Sequence, residues 1–237
     1  MSSRLSAGRR IWTAALWPVG IALTSWNYMW RTTPMHRREE SGGESDLPPA
    51  LPDAVLDDDV QRVDQGVGPL FHRVYRARIR ETRRSPQELI GRLRVDPNLA
   101  TPTELARFLK VRGAEGGLQV GDELVVRMPG PWDGPVRVVE STPTSFRLAT
   151  LRGHLEAGQI EFRATETGPL LQFEIESWAR SGDRLSNLLY HHLRMAKEVQ
   201  LHMWTSFLEQ VATLSAGRLT GGVEIVSRKV EDPLALP

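Results

Sequence analysis

Five runs of alternating apolar and polar residues crowd into the stretch from Asp122 to Ala179, separated only by short turns. They read DELVVRM, PVRVVEST, SFRLATL, GQIEFRATE and LLQFEIESWA. A period of two sends successive side chains to opposite faces, so each run fits a strand with one apolar face. The turns between them, such as PGPWDG and the Thr-Gly-Pro before the last run, are too short for a crossover. Neighbouring runs are therefore expected to pair antiparallel, as a meander. An earlier run, PLFHRVYRARI, has the same character, with Phe71, Tyr75, Ala77 and Ile79 marking one face.

Around the meander the period changes to that of a helix. Ser85-Pro86-Gln87-Glu88 and Thr101-Pro102-Thr103-Glu104 each combine a capping hydroxyl, a proline at the first helical position and a glutamate that reaches back. They predict two short helices, the second carrying Leu105, Phe108 and Leu109 and stopping at Gly113. After the meander, apolar residues spaced by three and four run through Leu189, Leu193, Ala196, Val199, Met203, Phe207 and Val211. They predict one long helix from about Arg184 to Ala216, capped by Asp183. A last short strand, GVEIVSRKV, precedes a Pro-rich end. The fold class is α+β: a curved antiparallel sheet gripping a long C-terminal helix.

Residues 11–30, IWTAALWPVGIALTSWNYMW, contain no charge. As a helix they span about 30 Å, the thickness of a hydrocarbon core. Trp12, at one end, and Trp26, Tyr28 and Trp30, at the other, fit an aromatic belt, and arginines flank both sides. The segment reads as a single-pass transmembrane anchor, with a cleaved signal peptide and an interfacial helix as alternatives. The side on which the rest of the chain would lie stays open. The domain expectation is a basic tail (1–10), the anchor (11–30), an acidic Pro-containing linker (31–65), the main domain (66–217) and a C-terminal strand and tail (218–237). The linker reads as a spacer, or alternatively as a belt lying on the domain.

Thirty basic and 29 acidic side chains leave a formal charge of +1, with no excess to drive phosphate binding, so nucleic acid is not an expected partner. There is no cysteine, which removes disulfides, thiol catalysis and zinc–thiolate sites. No phosphate loop, nucleophile elbow or paired zinc histidines occur, and no cofactor or metal is expected.

The run ATLRGHLEAGQIEF carries the most specific motif. It resembles the uncharacterised family DUF1990, whose members carry Tyr-Gly-Thr-Leu-x-Gly-His-Pro-Glu-x-Gly-Glu followed by a phenylalanine. Thr150, Leu151, Gly153, His154, Glu156, Gly158 and Phe162 match. Leu148, Ala149, Leu155 and Gln159 depart from it. The resemblance extends loosely from Gly66 to Gly217. It implies the helix-grip fold of the START-like (SRPBCC) superfamily and brings no established activity.

His154 and Glu156 admit several readings: a turn whose backbone they bond, a ligand site, an acid–base pair or a metal site. Trp132, Arg147, Trp178 and His192 complete the candidate ligand-binding set. Trp132 could cover a ligand or seal the sheet end, Arg147 could pair with an anionic group, and His192 could face the sheet. The expected function is binding of a hydrophobic or lipid-like molecule near a membrane, between sheet and long helix. A cyclase- or hydrolase-type enzyme using His154 and Glu156, and a non-catalytic scaffold contacting partners through the Trp132 hairpin, are the alternatives.

Overall fold

The computed structural model of the protein describes residues 33–128, 133–182 and 194–231, with side chains from residue 200 onward in the last stretch. The anchor at 11–30, Trp132 and His192 lie outside the described residues. Among the described residues no helix is long and apolar enough to cross a membrane.

Within those residues, nine strands form one sheet: β1 (Met35–Ser41), β2 (Val67–Arg80), β3 (Arg107–Arg112), β4 (Glu123–Arg127), β5 (Asp133–Ser141), β6 (Ser145–Thr150), β7 (Glu156–Thr167), β8 (Leu170–Ser181) and β9 (Arg218–Val230). Their spatial order is β1-β9-β2-β8-β7-β6-β5-β4-β3. The five expected runs pair in sequence order as β4 to β8, because turns this short leave each strand no neighbour but the next. β2 closes on β8, and β9 adds itself outside β2. β1 then pairs with β9 in parallel, so the sheet is mixed rather than purely antiparallel.

Helix α1 (Pro86–Val95) begins at the expected cap: the Ser85 side chain accepts from the Glu88 amide and the Glu88 carboxylate accepts from the Ser85 amide. It buries Leu89, Ile90 and Leu93 and lies over β6 and β7. Helix α2 (Arg194–Leu214) crosses the same face over β9, β2 and β8, and Arg84 donates to the Leu214 carbonyl at its end. This is the helix-grip arrangement. The face toward the helices is called inner here and the opposite face outer.

The helix expected from Thr101 does not form. Leu105 and Ala106 close a single turn on the Pro102 carbonyl, and residues from Arg107 on extend as β3. Two long-range partners outweigh the local cap. β4 offers a full ladder, and the Asn98 side chain both accepts from the Phe108 amide and donates to its carbonyl. Phe108 then enters the core.

The spacer expected over 31–65 is instead a belt on the outer face. It begins as β1 and continues through three short 3-10 turns at Glu44–Asp46, Asp53–Val55 and Val63–Gln65. Its carbonyls are the attachment points. Gln159 donates to Pro49, Arg147 to Ala50, Arg137 to Val55 and Arg180 to Val63. Proline lacks an N–H, so a Pro-rich segment presents more acceptors than donors, and outer-face arginines and a glutamine supply what is missing. Val55 and Val60 pack on Val139, Ala149 and Leu151, while Leu47 and Val63 pack on Trp178.

Candidate functional site

The strand registers place the inner-face residues in rungs. Phe146, Phe162, Ile175, Tyr75 and Ile225 form one rung across β6, β7, β8, β2 and β9. The next rung toward the Glu156 end holds Leu148, Ile160, Ser177, Arg73 and Ser227. From α2, Trp204 and Phe207 descend on the first rung. Trp204 meets Phe162 edge-on at 5.6 Å, and Phe207 lies 5.4 Å from Phe162 and 6.2 Å from Phe173. Toward α1 the wall is apolar throughout: Ala77, Ile79, Ala164, Leu171 and Phe173 are all at most 2% exposed.

The polar rung differs from its neighbours. Arg73 and Ser177 are a directly opposed cross-strand pair, both 5% exposed, in an otherwise apolar interior. The Arg73 guanidinium carbon sits 4.7 Å from the centre of the Phe71 ring, an arrangement that favours a buried cation. Burial pushes the Tyr75 phenol up to about 12, so it remains protonated and able to donate. The Ser177 hydroxyl and the Trp204 indole N–H are buried with no hydrogen-bond partner among the described residues. Neither Arg73, Ser177 nor Trp204 stood among the sequence candidates. The alternation HRVYRARI contained the signal for Arg73, since Arg73 shares parity with Phe71, Tyr75, Ala77 and Ile79.

His154 and Glu156 lie at the turn between β6 and β7, where the His154 ring bonds the Glu156 backbone. Gly153 has φ +97°, which lets the chain reverse between β6 and β7. The half-buried His154 ring then accepts the Glu156 backbone N–H at Nδ1, 2.9 Å away. Burial holds the imidazole below its ordinary value, keeping it neutral, and an accepting Nδ1 places the remaining proton on Nε2. The ring's other edge lies on Gly134, where an added Cβ would approach Nε2 to 3.0 Å. Gly158 has no room for a side chain either, since a Cβ would collide with the Trp178 carbonyl. Among the described residues no group of three or more histidines and carboxylates is arranged to hold a metal ion.

Two other candidates face away from the inner wall. Arg147 points outward, pairing with Glu140 and bonding Gln159 and the belt. Trp178 also lies outward, stacked on His72 at 5.3 Å and 4°. Strict alternation along β6 and β8 determines this: Leu148 and Ser177 point inward, so Arg147 and Trp178 cannot. The structure thus separates the six candidates. His154 and Glu156 sit at the rim of the inner face, Arg147 and Trp178 lie under the belt, and Trp132 and His192 are outside the described residues.

The outer face has a buried ion cluster of its own. His72 lies between two carboxylates, with Nδ1 2.7 Å from Asp46 and Nε2 2.8 Å from Glu176. Burial works against its charge, but the two carboxylates outweigh burial and raise its pKa. Arg163 pairs with Glu176 at 2.8 Å and Arg228 approaches Asp46 at 3.6 Å. Nδ1 thus holds the belt through Asp46, while Nε2 ties the ring to β8 through Glu176.

These features define an α+β helix-grip protein with a polar rung inside an apolar grip. Residues 103–210 match the family described as Domain of unknown function (DUF1990), whose motif was read above around His154. No curated protein matches the sequence. Solved structures resemble the chain at low identity. A hypothetical protein from Helicobacter pylori has 8% identity and a TM-score of 0.45, over 71% of this chain and 98% of that one. Norcoclaurine synthase from Thalictrum flavum, in complex with dopamine and hydroxybenzaldehyde, has 10% identity and a TM-score of 0.44, over 64% and 91%. A major latex-like protein from Panax ginseng has 16% identity and a TM-score of 0.37, over 56% and 97%. All three scores fall below 0.5, so the fold class rests on this chain's own strand order and helix packing.

Proposed function

We propose that the protein binds a small, largely apolar molecule between the inner face of the sheet and α2. The observation that carries this reading is the asymmetry of the inner wall. One end is uniformly apolar under α1, whereas the Arg73–Ser177 rung sets buried polar groups into apolar surroundings at the other. The Ser177 hydroxyl and the Trp204 N–H there are buried without a partner among the described residues; buried polar groups destabilise a fold unless something satisfies them, and an amphiphilic guest would do so while its apolar part lies toward α2. Residues 11–30 act as a membrane anchor in this reading and keep the binding domain close to lipid-like molecules.

Native mass spectrometry of the full chain, purified from cells in mild detergent, tests the proposal. A co-purified small molecule that a fluorescent fatty-acyl probe displaces is the expected result. A chain that carries no guest and takes up no probe would overturn it.

A further inference from the structure

Resting on that reading, we infer that the guest presents an uncharged acceptor, a ketone or ester carbonyl, to the indole N–H of Trp204 and the hydroxyl of Ser177. The indole N–H can only donate. Trp204 is 5% exposed, and its Nε1 has no partner among the described residues. Ser177 is equally buried, and its Oγ has no partner among them either. A hydroxyl donates as well as accepts, so an acceptor is the one kind of group that completes both. The two border the same wall. The Trp204 ring meets Phe162 edge-on, Phe162 opposes Ile175 on β8, and Ser177 follows on the same face about 7 Å further along.

The charges nearby decide against an ionised head. Arg73, Glu156 and Arg37 all act electrostatically on the Tyr75 phenol, and Glu39 stands in the rung of Arg73, across Ser227. Each of these charged residues already has an interaction of its own. Arg37 and Arg73 balance Glu39 and Glu156, so no net charge is left for an ionised guest to neutralise. An ion brought from water into these surroundings loses far more hydration than a carbonyl does. A carbonyl oxygen has two lone pairs and no proton, so it takes both donors and adds no unmet group. An alcohol brings a further donor with it, which then needs an acceptor of its own.

Displacement of the fluorescent fatty-acyl probe from the full chain in mild detergent tests the inference. The competitors are a naphthalene ring and an octyl chain, each carrying an acetyl, an ethyl, a carboxylate or an aminomethyl group. On whichever frame binds better, the ketone is expected to bind about tenfold more tightly than either charged head and about threefold more tightly than the hydrocarbon. Trp204→Phe keeps the aromatic body and removes the N–H, and Ser177→Ala removes the hydroxyl. Each is expected to weaken the ketone about three- to tenfold while changing the matching hydrocarbon less than twofold. Thermal melts identify any loss of folding, and where neither variant folds the ranking of heads on the unaltered chain decides alone. A charged or hydrocarbon head that binds as tightly as the ketone would overturn the acceptor assignment and leave the ligand site standing. So would a folded variant that spares the ketone or weakens all heads equally. A chain that binds neither the probe nor any competitor would overturn both.

Discussion

The two faces of the sheet bury their side chains by opposite means. The inner face is closed by apolar contact: Phe162, Phe173 and Phe207 are at most 1% exposed and touch one another through rings. The outer face is closed by charge and by backbone acceptors. Arg137 and Arg147 are at most 5% exposed, yet both are held by carboxylates and belt carbonyls. Apolar packing is non-directional and tolerates a guest of varied shape. A network of paired charges has one good geometry. The outer face is therefore suited to locking the belt in register, and the inner face to the ligand role proposed above. The inner rung of Arg73 and Ser177 brings buried polarity into a face that is apolar toward α1.

Removing an inner contact should have the largest effect. Phe207→Ala deletes a fully buried ring that meets Phe162, Phe173 and Trp204. A loss of about 4 kcal/mol is expected from urea unfolding. A loss below about 1 kcal/mol would show that α2 is not seated on the sheet. Asp46→Ala should rank second, at about 3 kcal/mol, because it leaves the buried His72 facing one carboxylate instead of two. Limited proteolysis should then cut within residues 42–60 faster than in the wild-type protein. Cleavage equal in both would mean that the belt is held elsewhere.

The pH dependence sharpens the same contrast. The raised His72 contributes stability that is complete below its ordinary value of 6.5 and lost as pH climbs through its raised value. For Asp46 and Glu176 burial opposes ionisation. Bonds from His72 outweigh it in both, aided by the Gly43 amide at Asp46 and Arg163 at Glu176, and lower the pKa. Their contribution is complete above the ordinary values of 3.8 and 4.5 and lost as pH falls through the lowered ones. The latch is thus strongest between pH 4.5 and 6.5. Urea midpoints should decline from pH 6 to 9 in the wild-type protein and stay nearly flat in His72→Gln. Parallel curves would place the titration outside the latch.

The smallest effect is expected at the motif that looked most chemical. His154→Ala removes one acceptor from the Glu156 amide and should lower stability by about 1 kcal/mol. Affinity for the fluorescent fatty-acyl probe should stay within twofold. A loss of binding beyond tenfold, with folding intact, would return His154 to the ligand site.

Local pattern was a good guide wherever a residue's neighbours in sequence are also its neighbours in space. The alternation from Asp122 to Ala179 specified the strands and the inward parity of Phe162 and Phe173. The Ser85 box specified the start of α1. The Thr101 box obeyed the same local rule and failed, because Asn98 and β4 offered Phe108 a ladder that no short window contains. The resemblance around His154 pointed to the right family match but not to the role of the histidine. That role depends on the turn at Gly153 and on Gly134, twenty residues away.

From its own order of residues, the chain determined strand faces, the first helix cap, the meander and the helical period of its last helix, since each follows from spacings of two to four residues. Tertiary structure alone decided that a Pro-rich, acidic segment would be a belt, because its acceptors meet donors 82 to 117 positions further on. It likewise decided that Arg73 and Ser177 would share a rung, and that Arg147 and Trp178 would lie behind the sheet. Burial and pairing at that range depend on which strands become neighbours, a property of the assembled sheet and not of any single run within it.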